Sequence, residues 1–318
     1  AITFPGAHGD MLSARLSVPA DGKVHACVLF AHCFTCSKDL KPVRHITRAL
    51  TQAGMAVFRF DFTGLGESEG DFADTTFASN IDDLLAAAAY MKRELEGPSI
   101  LLGHSLGGAA VLAAAGSIGT CRAVATVGAP FDPSHVTHLF GDSLNEIEAE
   151  GRAEVQIAGR GFTVSRAFLR DIEGRRMEEI LRTLKRPLLV LHSPVDSVVG
   201  IENAALIYEA ARHPKSFVSL DDADHLLLVE DDARYVGHVL AAWAGRYLPS
   251  RAQGPNAAGG TPEDAGTFAQ TGADGYLTEI RAGGVRYPRP PAFDPGDTAL
   301  ICCSVPDPGA AEHLVLEL

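Results

Sequence analysis

The segment that most constrains this chain is Ile100–Gly108, ILLGHSLGG. An apolar run of strand type enters a Gly-x-Ser-x-Gly pattern and leaves it as a small-residue helix, Gly107–Ala115. Such a strand-to-helix turn lifts the hydroxyl of Ser105 above the end of a sheet. Gly103 and Gly107 suit the turn because a Cβ at either place would clash with neighbouring backbone. The helix start adds the positive end of a dipole where an oxyanion would form. The pentapeptide alone is common by chance. Its flanking strand and helix make it specific, and they predict a nucleophilic serine.

The rest of the chain supplies the sheet that such a turn needs. From His25 to about Leu248, short β-branched apolar runs alternate with longer amphipathic ones. The runs His25–His32, Met55–Phe62, Ser99–His104, Arg122–Ala129, Pro187–His192 and Ser216–Asp221 read as buried parallel strands. Leu40–Ala53, Phe77–Leu95, Leu106–Ile118, Ile201–Arg212 and Ala233–Tyr247 read as helices. This alternation predicts an α/β fold, a mainly parallel sheet with helices on both faces. Ile2–Phe4 and Leu12–Val18 predict an antiparallel hairpin on its edge. Between Ala129 and Pro187 the rhythm breaks, and residues from about 131 to 185 form an insertion. It reads as a polar helix (Val136–Glu150), a hairpin (Glu154–Ile157 and Phe162–Ser165) and a helix at Ala167–Leu184. Its place beyond the carboxyl end of a strand puts it over the ligand-binding edge of such sheets, as a small lid.

Composition limits the partners. The formal net charge is −13, which repels phosphate backbones and excludes nucleic acid as the expected partner. No run of about 18 apolar residues is present, so no membrane span is expected. Ala1–Asp10 lacks a basic stretch followed by an apolar one, which argues against a secretory signal. Six cysteines are too sparse for a secreted disulfide scaffold. The expectation is cytoplasmic residence with reduced thiols. The hydrolytic domain is expected over 1–248, with a linker at 249–266. The tail, 267–318, carries a strand signal at Tyr276–Arg281 and an apolar run at Ala299–Val305 that would suit packing or a homo-oligomer.

A serine hydroxyl needs a base to act as a nucleophile. His225, in Asp221-Asp222-Ala223-Asp224-His225, follows the last strand and is the candidate. The acid expected between them is Asp196, in the turn after Pro187–His192, where it would fix the tautomer of His225. Asp222 and Asp224 are rivals by proximity, and Asp132 is a weaker one. Two backbone N–H groups should form an oxyanion hole: Leu106, directly after the serine, and Phe34, in the loop after the first parallel strand. Cys33 and Cys36 in that loop make a C-x-x-C, for which redox and metal readings compete with loop structure. Asp61–Ser68 (DFTGLGES) reads as a tight turn braced by Asp61 and Ser68. Phe162, Phe168 and Leu169 are apolar residues of the lid, read either as walls of the substrate pocket or as anchors.

AHCFTCSKD, FDFTGLGESEGDF, GHSLGG, SPVD and ADHLL together resemble the α/β-hydrolase family, near its serine aminopeptidase-like and lysophospholipase-like esterases. FAHCFTCSKDL, RFDFTGLGES, HPKSFVSLDDADHLL and AEVQIAGRGF are similar to bacterial hydrolases fused to a C-terminal OsmC-type domain. The tail is too short for such a domain, so a remnant is the expectation. The paired thiols of that domain have no counterpart assigned at Cys302 or Cys303. The resemblance implies the α/β-hydrolase fold and a serine esterase acting on a small-molecule ester, without cofactor or metal. We expect small to medium acyl groups, cleaved through an acyl-enzyme. The alternatives are a peptidase, thioesterase or lactonase using the same residues, or a non-catalytic binding module.

Overall fold

A computed structural model describes residues 2–157 and 159–249 in full and the backbone of three further strands beyond them. The chain forms two compact units, Ala1–Arg251 and Ala252–Leu318.

In the first unit, β1 (Ile2–Pro5), β2 (Met11–Ser17) and β3 (Ala26–Ala31) precede α1 (Lys41–Gln52) and β4 (Met55–Phe60). Then come α2 (Phe77–Leu95), β5 (Ile100–His104), α3 (Leu106–Ala114) and β6 (Ala123–Val127). The insertion holds α4 (Ser143–Glu150), β7 (Arg152–Ile157), β8 (Arg160–Ser165), α5 (Arg166–Ile172) and α6 (Met177–Thr183). β9 (Leu188–His192), α7 (Glu202–Ala210), β10 (Lys215–Ser219) and α8 (Glu230–Ala244) complete it. Eight strands make one sheet in the order β1-β2-β4-β3-β5-β6-β9-β10. The first two are antiparallel additions at the edge, and every pairing from β4 to β10 is parallel. The α/β-hydrolase fold read from the sequence therefore holds.

Strand alternation sorts the core into two layers. On one face Val28, Phe30, Ile100 and Leu102 pack with Val43, Ile46 and Leu50 of α1 and Val236 and Leu240 of α8. On the other face Leu29, Ala31 and Leu101 pack with Leu84 and Met91 of α2 and Val111 of α3. Both layers are fully buried, as parallel strands covered twice require. α2 starts with a capping box between Thr76 and Ser79. α8 begins at Glu230 rather than Ala233, because Glu230, Asp231 and Asp232 suit a helix N-terminus electrostatically.

The lid departs from its expected outline in two places. The helix expected at Val136–Glu150 is a 3-10 turn, Pro133–Leu139, followed by α4. Gly141 lies between them with φ +50°. The helix expected at Ala167–Leu184 is broken into α5 and α6, with Gly174 in the left-handed region (φ +73°) at the break. The expected hairpin forms, with Val155 paired to Phe162, and its second strand starts at Arg160 rather than Phe162.

In the second unit β11 (Phe268–Thr271), β12 (Leu277–Ala282) and β13 (Val285–Tyr287) form an antiparallel sheet. β12 corresponds to the strand signal at Tyr276–Arg281. Cys302, Cys303 and the run Ala299–Val305 lie outside the described residues. Among the described residues no helix is long and apolar enough to cross a membrane.

Candidate active site

β5 ends at His104, and α3 begins at Leu106. Ser105 between them has φ +54° and ψ −126°, a backbone state costly for any residue with a side chain. The surroundings hold it there. The Ser105 N–H donates to the Val127 carbonyl (2.9 Å), and the Ser105 carbonyl accepts from Gly108 N–H (2.7 Å). A Cβ on Gly107 would collide with the carbonyls of Ala31 and His32, and one on Gly103 with the backbone of Gly107 and Gly108. The close seating of α3 on the ends of β3 and β5 is therefore a property of these two glycines.

Asp196 lies beyond the carboxyl end of β9 with its side chain 2% exposed. Its Oδ1 accepts from the N–H groups of Val198 and Val199, both at 2.9 Å. Its Oδ2 stands 2.7 Å from Nδ1 of His225. Burial alone raises the Asp196 pKa, but the His225 hydrogen bond and the two backbone donors outweigh it and hold the carboxyl below its usual range. The rivals are occupied elsewhere. Asp224 caps its own loop through the N–H groups of Leu226 and Leu228. Asp132 accepts from Ser134 N–H at a 3-10 start, and Asp222 is exposed.

Two further histidines support this arrangement, and the sequence reading had assigned neither. His104 Nε2 contacts the backbone carbonyl of His225 at 2.7 Å, with the two rings 5.1 Å apart. His192 Nε2 contacts the Val199 carbonyl at 2.7 Å and lies 3.7 Å from Asp196 Oδ2. A neutral imidazole donating to each carbonyl fits both. Burial pushes His104 down to about 3, and it lowers His192 and His32 as well. The unfolded chain takes up these protons near pH 6.5, the ordinary histidine value, whereas the folded chain refuses them. Stability is therefore complete above that pH and is lost progressively as pH falls toward 3. The urea midpoint should fall steadily from pH 7 to pH 4, and His104→Asn should flatten that slope. Equal slopes in both proteins would contradict the assignment of His104.

The loop after β3 carries Phe34 beside Thr35, which is left-handed at φ +61°. Cys33 and Cys36 are joined by a disulfide across it, in contrast to the reduced thiols expected. Behind this loop sits Lys38, 1% exposed, with Nζ 2.7 Å from both Asp61 Oδ2 and Glu67 Oε2. Desolvation opposes its charge, but these hydrogen bonds prevail and raise its pKa. Asp61 Oδ1 also accepts from the Lys38 N–H (2.6 Å), and Ser68 Oγ donates to the Asp61 carbonyl (2.6 Å). The turn DFTGLGES is thus tied to the loop that bears Phe34. Lysine is almost never buried unless paired, so Lys38 without Asp61 would have little reason to stay.

Ser105, Leu106, Phe34 and His225 all line one cavity of about 460 Å³. Val136, Leu139, Ile157, Val198 and Val199 make its walls mostly apolar, with His135, His138 and Arg160 as polar members. Phe162, Phe168 and Leu169 are not in its lining; each is at most 8% exposed and belongs to the core. Phe168 packs on Phe34 (5.3 Å between ring centres), and Phe162 packs on Phe72 (5.3 Å). There they pack as core side chains of the lid. The hairpin contributes Ile157 and Arg160 to the cavity instead.

A family model described as serine aminopeptidase, S33, matches residues 22–160. The crystal structure of the esterase domain of a Rhodothermus marinus protein is 52% identical, covering 77% of this chain and 97% of that one, with a TM-score of 0.65. Est1E from Butyrivibrio proteoclasticus, solved with ferulic acid bound, is 20% identical over 78% of this chain and 99% of its own, with a TM-score of 0.68. The second likeness is one of fold. An uncharacterised Salmonella typhimurium protein, YfhR, is 28% identical over 56% of this chain. The mouse mitochondrial palmitoyl-protein thioesterase ABHD10 is 27% identical over 57%. The chain spans 57% and 60% of the lengths of these two curated relatives.

Proposed function

Because the chain belongs to the α/β-hydrolase family, we propose that this hydrolase is a serine-dependent carboxylesterase working through an acyl-enzyme on Ser105. The observation that carries this reading is the 2.7 Å contact between Asp196 and His225, a residue that opens into the same cavity as Ser105. His225 Nε2 takes the Ser105 hydroxyl proton while Oγ bonds to the ester carbonyl carbon. The N–H groups of Leu106 and Phe34 receive the negative oxygen, at a helix start whose first amides have no intrahelical acceptor. The tetrahedral species expels the alcohol, which carries away the proton held by His225. Water then attacks the acyl-enzyme, His225 accepting its proton and returning it to Ser105. Asp196 keeps the Nδ1–H of His225 in place and stabilises the imidazolium.

The cavity of about 460 Å³ lies at the small end of the range for small-molecule sites. It supports esters with small to medium acyl groups and leaves little room for a folded polypeptide. We assign this chemistry to residues 1–248. The likeness to a palmitoyl-protein thioesterase favours one second reading, a thioesterase using the same residues. The test is a panel of p-nitrophenyl esters from acetate to decanoate beside acyl thioesters of the same lengths. The expected result is higher kcat/KM for the esters, greatest at or below about eight carbons. Faster thioester cleavage would transfer the function to the second reading. No turnover of either class would leave a binding module.

A further inference from the structure

The Ser105 cavity is electrically unlike the protein that contains it. The chain carries 40 acidic residues and a formal charge of −13. Yet the cavity lining includes no aspartate or glutamate, and its one permanent charge is Arg160. Arg160 enters from the start of β8, on the lid hairpin. Its Nη1 donates to the Thr35 carbonyl (3.3 Å), and its guanidinium lies 5.0 Å from the centre of the Phe162 ring. These contacts set the side chain against the loop that bears Phe34. Arg160 is exposed, and among the described residues no carboxylate pairs with it. A single hydrogen bond leaves most of its five donors unused.

A solvent-open cation at the mouth of a mostly apolar cavity whose lining holds no carboxylate is suited to an anion brought by the substrate. We infer, on the basis of the esterase reading above, that the cavity selects esters bearing a carboxylate, and that Arg160 is the residue that selects them. The guanidinium fork matches a carboxylate in geometry as well as charge. The reacting ester carbonyl sits at Ser105, and the substrate's own carboxylate meets Arg160. The acidic exterior repels anions in general, so this local positive charge is what makes such a substrate acceptable. The shared chemistry is an ester with one free carboxylate, placed on either its acyl or its alcohol half.

The test compares matched pairs on the full chain. On the acyl side, monomethyl glutarate is set against methyl valerate. On the alcohol side, acetylglycolate is set against ethyl acetate. The reading is the ratio of kcat/KM, carboxylate ester over neutral ester, in at least one pair. We expect Arg160→Gln to lower that ratio by about tenfold, Arg160→Lys to keep part of it, and Arg160→Glu to lower it further. Raising the salt concentration should reduce the ratio of the native protein, since the site is open to solvent. If Arg160 served only to hold the Thr35 loop, both esters of a pair would slow together and the ratio would not move. An unchanged ratio in both pairs would overturn the inference while leaving the esterase reading intact. Failure to cleave any of the four esters, or the p-nitrophenyl panel, would instead remove the reading on which it rests.

Discussion

Ser105→Ala should lower ester turnover by about four to six powers of ten while leaving the protein folded. Loss of the nucleophile removes the acyl-enzyme route outright, and what remains is binding and the oxyanion donors, which in serine hydrolases give only a small fraction of the rate. The fold has no stake in the hydroxyl. The hydrogen bonds that hold this residue use its main chain, to Val127 and Gly108, and alanine keeps them. Urea midpoints should therefore match. Ser105→Gly sharpens the test, because φ +54° with ψ −126° costs a residue with a Cβ about 1–3 kcal/mol. Glycine should be equally inactive but more stable, which would separate a site held under strain from a merely damaged one. A fluorophosphonate probe should label the native protein at Ser105 and neither variant. Near-native rates in folded Ser105→Ala, or labelling at a different serine, would end the claim that this residue is the nucleophile.

The legibility of this site followed the range of the contacts involved. Ser105 announces itself because strand, glycine, serine, glycine and helix are adjacent in the chain, and one turn geometry explains them all. His225 and Asp196 were reached through topology, each placed after a strand of a sheet whose order the alternation implied. The long-range contacts that brace the site were out of reach. His104 meets the carbonyl of a residue 121 positions away, and Arg160 meets one 125 positions away. No local pattern encodes such pairs. Nothing beside Lys38 in the chain signals its burial against Asp61 and Glu67. The lid shows the same limit for apolar residues. Phe162 and Phe168 alternate and cluster as either a core or a pocket would, and only packing on Phe72 and Phe34 distinguishes the two. The breaks at Gly141 and Gly174 were smoothed over because the flanking residues remain amphipathic across them.

Asp196→Asn should cost turnover about three to four powers of ten, far more than Asp222→Asn or Asp224→Asn. The size of the effect follows from how the carboxylate is held. Oδ1 accepts from the N–H groups of Val198 and Val199, so an amide placed there will keep its oxygen on those two donors. Its NH₂ must then face His225 Nδ1, at the position Oδ2 now occupies 2.7 Å away. A donor meeting Nδ1 forces that nitrogen to accept and moves the ring proton to Nε2. Nε2 is the atom that must take the proton of Ser105, and a protonated Nε2 cannot do so. The variant is thus disabled by a tautomer with nearly every heavy atom in place. Its KM for neutral esters should change little while kcat falls. Asp224→Asn should instead loosen the loop through Leu226 and Leu228 and give a modest loss. Asp222 is exposed and its substitution should be nearly silent. The histidine ring reports the difference directly: in ¹⁵N spectra at neutral pH, the His225 proton should lie on Nδ1 in the native protein and on Nε2 in Asp196→Asn. A crippled Asp222→Asn beside an active Asp196→Asn would reassign the acid, and an unchanged tautomer in an inactive Asp196→Asn would replace this explanation with one of simple misfolding.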